Sequence, residues 1–222
     1  MKNNLFCITA LILIGTGAAQ AQSAGSFTLR GGATLIAPQV SSGDLSSPSF
    51  AGTKVNVLSA SQVSGGINYM LTDNIAVDLP LGIPFKHQII GAGAIDNTGK
   101  LADVDALPVT MLLQYKAGSP TSDLRPFVGV GLTMAKFSNT RSTAALTALT
   151  GGTTSNPTTM SMKDTNGSTY QLGVAARLGG RWTLEVSATK VMLKTIGKLS
   201  TGQSIGVTLN PVAFSAGLGY TF

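Results

Sequence analysis

An eight-stranded antiparallel transmembrane β-barrel, with short periplasmic turns and long extracellular loops, is the fold that this sequence predicts. Three observations predict it. The 222-residue chain opens with the features of an export leader. After the leader, apolar residues recur with a period of two in eight segments, and never in the unbroken run of about 18 that a membrane helix needs. The connections between those segments alternate between short and long, as bacterial barrels require.

The leader reads MKNNLFCITALILIGTGAAQAQ. Lys2 supplies a positive n-region and residues 5–14 a short apolar core. Ala19-Gln20-Ala21 presents the small residues that a signal peptidase recognises, so cleavage after Ala21 is expected. The core is too short to cross roughly 30 Å of hydrocarbon as an anchor. The only cysteine, Cys7, lies early in that core, which disfavours a lipid-anchored form and leaves residues 22–222 without a disulfide or a thiolate metal site. Residues 22–222 are long enough for one barrel domain.

The strands follow in order. FTLRGGATLIA sets Phe27, Leu29, Ala33 and Leu35 against Thr28, Arg30, Gly32 and Thr34. VLSASQVSGGINYML puts Val57, Val63, Ile67, Tyr69 and Leu71 on one face. IAVDLPLGIPF reads as one continuous alternation from Ile75 to Phe85, and LPVTMLLQY carries Leu107, Val109, Met111, Leu113 and Tyr115. PFVGVGLTM, YQLGVAARL and WTLEVSA follow, and VAFSAGLGYTF closes the chain with Val212, Phe214, Ala216, Leu218, Tyr220 and Phe222 in phase. Each segment has one greasy and one thin face. Lipid is the solvent that suits the greasy face, and pairing of the last strand with the first leaves no edge.

The connections TDN and GGR are tight, and KAGSPTSDLR is somewhat longer. Residues 37–55, 86–104, 138–167 and 197–206 are expected to be the long extracellular loops. Aromatic residues cluster at strand ends, as interfacial girdles do. Phe27, Tyr69, Tyr115, Trp182, Tyr220 and Phe222 fall near the short-turn end; Phe85, Tyr170 and Phe137 fall near the other. Tyr220 and Phe222 also form a terminal pattern of the kind read by the barrel-assembly machinery, an expected partner. Outer-membrane lipid and lipopolysaccharide are the others that this placement implies.

Charged residues make up 11% of the chain, well below the ~25% of soluble domains, and its net charge of +6 is scattered without a basic-aromatic stripe. Nucleic-acid binding therefore has no support, and no cofactor or metal is expected. His87 is the sole histidine. With no serine in a nucleophile motif it makes no catalytic constellation, so no enzymatic activity is expected. Lys86 with His87 reads more simply as a contact for lipopolysaccharide phosphates.

Phase also sorts the lumen. Arg30, Asp78, Lys116, Arg177 and Glu185 point inward in the short-turn half. Both signs occur, which favours a salt-bridged plug over a selectivity ring in so narrow a barrel. Leu58, Ala60, Pro80, Gly82, Pro84 and Leu112 point inward in the upper half. They suit either a pocket for small hydrophobic solutes or simple packing.

The stretches FTLRGGATLIAP, INYMLTDNIAVDLPLGIPFKHQI, LPVTMLLQY, RPFVGVGLTM, GVAARLGGRWTLEVS and LNPVAFSAGLGYTF resemble the OmpW family of small outer-membrane barrels over nearly the whole mature chain. The resemblance implies an eight-stranded barrel with an apolar upper cavity, and passive passage of small hydrophobic molecules that leave sideways into the membrane. Pro38 then either ends strand one or opens a side window. Lys190 departs from the family pattern by standing in outward phase, which calls for a bulge or a snorkelling side chain. Residues 144–149 could form a small apolar lid within a Ser/Thr-rich loop. A second reading, with no transport, is a structural or surface-interaction barrel serving envelope integrity, adhesion, or phage and colicin docking.

Overall fold

A computed structural model describes residues 22–222, so the expected leader, residues 1–21, lies outside the described residues. In chain order the elements are β1 Phe27–Ala37, β2 Ser41–Ser42, β3 Thr53–Val57, β4 Ala60–Met70, β5 Ile75–Gly82, β6 Phe85–Gly93, β7 Lys100–Lys116, β8 Leu124–Ser142, α1 Ala144–Leu149, β9 Met160–Met162, β10 Thr165–Gly179, β11 Trp182–Val191, β12 Lys194–Leu199, β13 Ser204–Thr208 and β14 Val212–Thr221. Eight of these strands, β1, β4, β5, β7, β8, β10, β11 and β14, close an antiparallel ring, with β14 paired to β1 from Thr28↔Thr221 to Ala37↔Val212. No described helix is long and apolar enough to cross a membrane; the crossing is made by strands.

The expected eight segments are the eight walls, but four of them cross as two strands each. Breaks fall at 58–59, 83–84, 192–193 and 209–211, between β3 and β4, β5 and β6, β11 and β12, and β13 and β14. Pro84 and Pro211 stand at two of these breaks, where a missing N–H ends a ladder. Above the breaks the wall continues as β3–β6–β7–β8 on one side and β2–β13–β12–β9 on the other. Of the segments expected as loops, 86–104 and 197–206 are therefore largely wall, whereas 37–55 and 138–167 are mostly loop with short wall strands within them. A tilted strand of ~9–11 residues spans a bilayer, whereas β8 alone has 19.

The barrel is inverted relative to a soluble domain. Leu113, Val128, Val130, Leu172, Leu184 and Leu218 are exposed, while Thr28, Asn68, Thr133, Thr169 and Thr183 are buried. β1 and β14 approach so closely that Gly32 cannot be replaced freely: a Cβ there would lie 2.1 Å from the Ala216 carbonyl oxygen of the closing strand.

The seam closes on aromatics. The Phe222 N–H donates to the Phe27 carbonyl at 2.8 Å. Trp182 and Tyr220 lie edge-on at 5.0 Å, as do Tyr220 and Phe222, and Phe27 stands 6.3 Å from Phe222. Such pairs contribute about 0.5–1.5 kcal/mol each beyond their buried area. Phe222→Ala is expected to lower outer-membrane levels more than synthesis, read by comparing pulse-labelled chain with membrane-fraction immunoblots. Equal ratios for variant and wild type would count against it.

Candidate functional site

The lower lumen holds a connected polar network. Arg30 on β1 places its guanidinium between Asp78 on β5, at 2.5 Å, and Glu185 on β11. Gly66 makes room for it, because a Cβ there would stand 2.6 Å from Arg30 Nη2. Asn68 donates from Nδ2 to Asp78 Oδ1 at 3.1 Å and to Gln114 Oε1 at 2.8 Å, and Gln114 donates onward to Gln171 at 2.7 Å. Lys116 is buried at this end with its ammonium 5.7 Å from the Phe127 ring centroid, not in the ion-paired set.

Arg177 does not join this network. Its partner is the exposed Asp123 at 3.3 Å, beside the turn before β8, so the expectation of a fifth plug charge is corrected. The short β10–β11 turn carries the side chain to the rim, where water competes for it. Arg125, which sequence reasoning passed over, is buried instead. It donates to the carbonyls of Gln22 at 2.9 Å, Lys116 and Ala117 at 3.3 Å, and also Asp73. It thereby ties the N-terminal segment and two turns across the short-turn mouth. Asn68, Gln114 and Gln171 lie in inward phase and were legible by alternation, but attention to charge alone missed them.

A cavity of about 170 Å³ lies above this network. Arg30, Gln171 and Glu185 reach its floor, with the Thr34 hydroxyl held by Ser64 at 2.7 Å and Ser215 at 2.8 Å. Its walls are apolar: Val57, Phe85, Val104, Ala106, Phe137 and Leu193 among others. Phe85, Ala106 and Phe137 form one lateral row, paired across β6, β7 and β8. Phe85 is thus a lumen residue, 3% exposed, and not a member of the outer girdle. The break at Ile83-Pro84 shifts the phase there by one residue. Tyr69, Tyr115, Tyr170, Trp182 and Phe222 are exposed on the outer face.

The break at 58–59 has the same effect on Leu58. It is 40% exposed on the outside, while Val57 lines the cavity, so Leu58 is corrected as a lumen residue. Pro80 lines the cavity; Ala60 and Leu112 are buried but do not line it; Pro84 sits half-buried at the break. His87 also faces the cavity, buried, with Nδ1 2.8 Å from the Leu58 carbonyl oxygen. Its ring is therefore turned away from any lipid phosphate.

The wall lapses beside this cavity. The β5–β7 ladder runs only from Ile75↔Tyr115 to Asp78↔Leu112, and β6 resumes pairing at Phe85↔Ala106. Residues 79–84 face 107–111 without a ladder, and Pro80, Pro84 and Pro108 fall on this stretch. The cavity is lined from both sides of the seam, by Pro80, Leu81 and Gly82 and by Ala106, Pro108 and Thr110. Pro38 makes no such opening. β1 pairs with β14 through Ala37, and the Gln39 N–H donates to the Leu209 carbonyl at 2.8 Å. Lys190 keeps its register opposite Tyr170 without a bulge, its ammonium reaching Gln39 Oε1 at 2.5 Å and the Asn210 carbonyl at 2.6 Å.

Towards the top, Val57, Ile89, Val104, Leu193, Ile205 and Leu209 pack together, and above them Leu101, Leu146 and Leu199. Leu146 comes from α1, whose N-cap Thr143 accepts the Leu146 N–H. A second cavity of about 50 Å³ lies beneath this helix.

The OmpW family model matches residues 23–222. The chain belongs to the OmpW family. It is similar to Outer membrane protein W of Salmonella typhi, 30% identical over 227 residues with both chains fully covered. The crystal structure of OprG from Pseudomonas aeruginosa superposes with a TM-score of 0.81 at 29% identity, covering 92% of this chain and 99% of that one. Outer membrane protein AlkL of Ectopseudomonas oleovorans is 28% identical over 159 residues, 70% of this chain and 64% of AlkL. This OmpW-family barrel is an outer-membrane protein, embedded among the lipids of that membrane.

Proposed function

We propose that this barrel is a passive conduit for small hydrophobic molecules, which enter the upper cavity from outside and leave sideways into the membrane through the β5–β7 seam. The observation that carries the reading is the coincidence of an apolar cavity with an unpaired stretch of wall. Burial of apolar solute surface in such a cavity is favourable by about 25 cal/mol per Å². Sideways exit breaks no ladder hydrogen bond, because none spans residues 79–84 and 107–111. Downward passage would have to displace the Arg30–Asp78–Glu185 network. Entry from outside requires the two apolar clusters beneath α1 to part, which breaks no hydrogen bond between their side chains.

The test is uptake in a strain lacking this protein and in the complemented strain, with solutes of equal size and graded hydrophobicity. Complementation is expected to raise uptake of the apolar solutes and not of the charged ones. Equal uptake in both strains would favour a barrel that serves to anchor its extracellular surface.

A further inference from the structure

β12 continues the lipid-facing wall of β11 upward, past the break at 192–193. Along it Leu193, Thr195, Gly197 and Leu199 are buried, whereas Met192, Lys194, Ile196 and Lys198 face outward and are exposed. β9 pairs alongside, with Gly197↔Met162 and Lys198↔Ser161, and the Lys163 N–H donates to the Ile196 carbonyl at 3.0 Å. Met162 lines the cavity and Lys163 is exposed. Lys163 therefore sits opposite Ile196 on the outer face, diagonal to both Lys194 and Lys198, close enough for one ligand to engage all three.

Among the described residues, the one carboxylate beside these lysines, Asp164, forms no ion pair with them. On the β13 side their neighbours are Thr208, Gly206 and Ser204. Lys136 on β8 adds a fourth exposed cation near the edge, and the adjacent carboxylate, Asp164, accepts the Phe137 N–H at 2.8 Å. Among the described residues, none of Lys136, Lys163, Lys194 and Lys198 forms an ion pair. The other side of the wall differs: Lys54 stands 3.9 Å from Asp44, Lys100 2.9 Å from Asp103, and Lys86 is opposite Asp105 on the ladder.

The height of the patch is that of lipid headgroups. From Trp182 in the lower girdle to Lys194 the wall rises roughly 30 Å at ordinary strand rise and barrel tilt, just above an apolar band of about 25 Å. Beneath it the outer face is greasy, with Leu132, Met134, Tyr170 and Met192 exposed. Cations set above an apolar wall match a lipid whose phosphates lie over acyl chains. We propose that the face formed by Lys163, Lys194 and Lys198, with Lys136 at its edge, binds the phosphates of an outer-leaflet glycolipid, the lipid A moiety of lipopolysaccharide. This site depends on the barrel's place in the outer membrane and is independent of the conduit.

The experiment is native mass spectrometry of the full folded barrel in detergent, titrated with bisphosphorylated lipid A, dephosphorylated lipid A or phosphatidylglycerol. Wild type is expected to retain one bisphosphorylated lipid A, and the other two lipids at least about tenfold more weakly. Lys163→Gln/Lys194→Gln/Lys198→Gln is expected to weaken lipid A retention by roughly a hundredfold. The triple Arg variant should retain it, and Lys54→Gln/Lys86→Gln should match wild type. If the triple Gln variant fails to fold, Lys163→Gln alone should still lose about fivefold. Unchanged lipid A retention by the folded Gln variants, or equal retention of phosphatidylglycerol or dephosphorylated lipid A by wild type, overturns the site.

Discussion

Ala106→Trp is expected to reduce uptake of apolar solutes to the level of a strain lacking the protein. Ala106 stands between Phe85 and Phe137 in register and lines the cavity beside the unpaired seam. An indole there projects into the cavity beside the seam, with a side chain that cannot leave. Overpacking a filled core costs about 1–3 kcal/mol, but here the new ring enters a void and meets aromatic neighbours, so folding should persist. Heat-modifiable migration in gels checks that the barrel has formed, and solute uptake is then measured on the same cells. Leu79→Asp is the contrasting variant: Leu79 is exposed on the lipid face, and a carboxylate there is expected to impair assembly itself. A folded Ala106→Trp barrel with normal apolar uptake would sink the cavity as the route.

Arg30→Met is expected to destabilise the barrel by about 3–5 kcal/mol, because it leaves two buried carboxylates without their shared cation. Asp78 is 0% exposed and Glu185 6%. The same reasoning sets a second outcome. Arg30→Met/Asp78→Leu/Glu185→Leu removes the charges together and should lie much closer to wild type, since well-packed apolar replacements of buried ion pairs are often nearly neutral. Urea unfolding in lipid vesicles, followed by fluorescence of the single Trp182, reads both variants. A single variant as stable as wild type would show that water or a rearranged Lys116 compensates the carboxylates.

How far the fold was legible follows from its inverted solvation. In a barrel one face of every strand meets lipid, so alternation in FTLRGGATLIA or VAFSAGLGYTF reports the face directly. Closure of β14 on β1 then follows from the cost of an unpaired edge in lipid. Alternation failed at two of the four breaks, and it held at 192–193, where Val191 and Leu193 are both buried. At LGIPF the proline interrupts the strand and turns Phe85 inward, and at VLSA the break at 58–59 turns Leu58 outward. Both errors have one cause: a phase is only as good as the continuity of the strand that carries it.

By itself the sequence determined the all-β barrel class, the eight walls, the outer-membrane setting, and the inward phase of Arg30, Asp78 and Glu185, because each rests on local periodicity or on charge that lipid will not accept. Only the tertiary structure decided where the wall lapses and where it gathers charge. Pro80 and Pro84 lie on one wall and Pro108 on the next, and their shared seam exists only because β5 and β7 part above Asp78↔Leu112. Lys163 becomes a neighbour of Lys194 and Lys198 only through the β9–β12 pairing. Hydrogen-bond register belongs to two strands at once, and pairing between distant segments is invisible to the period of either one.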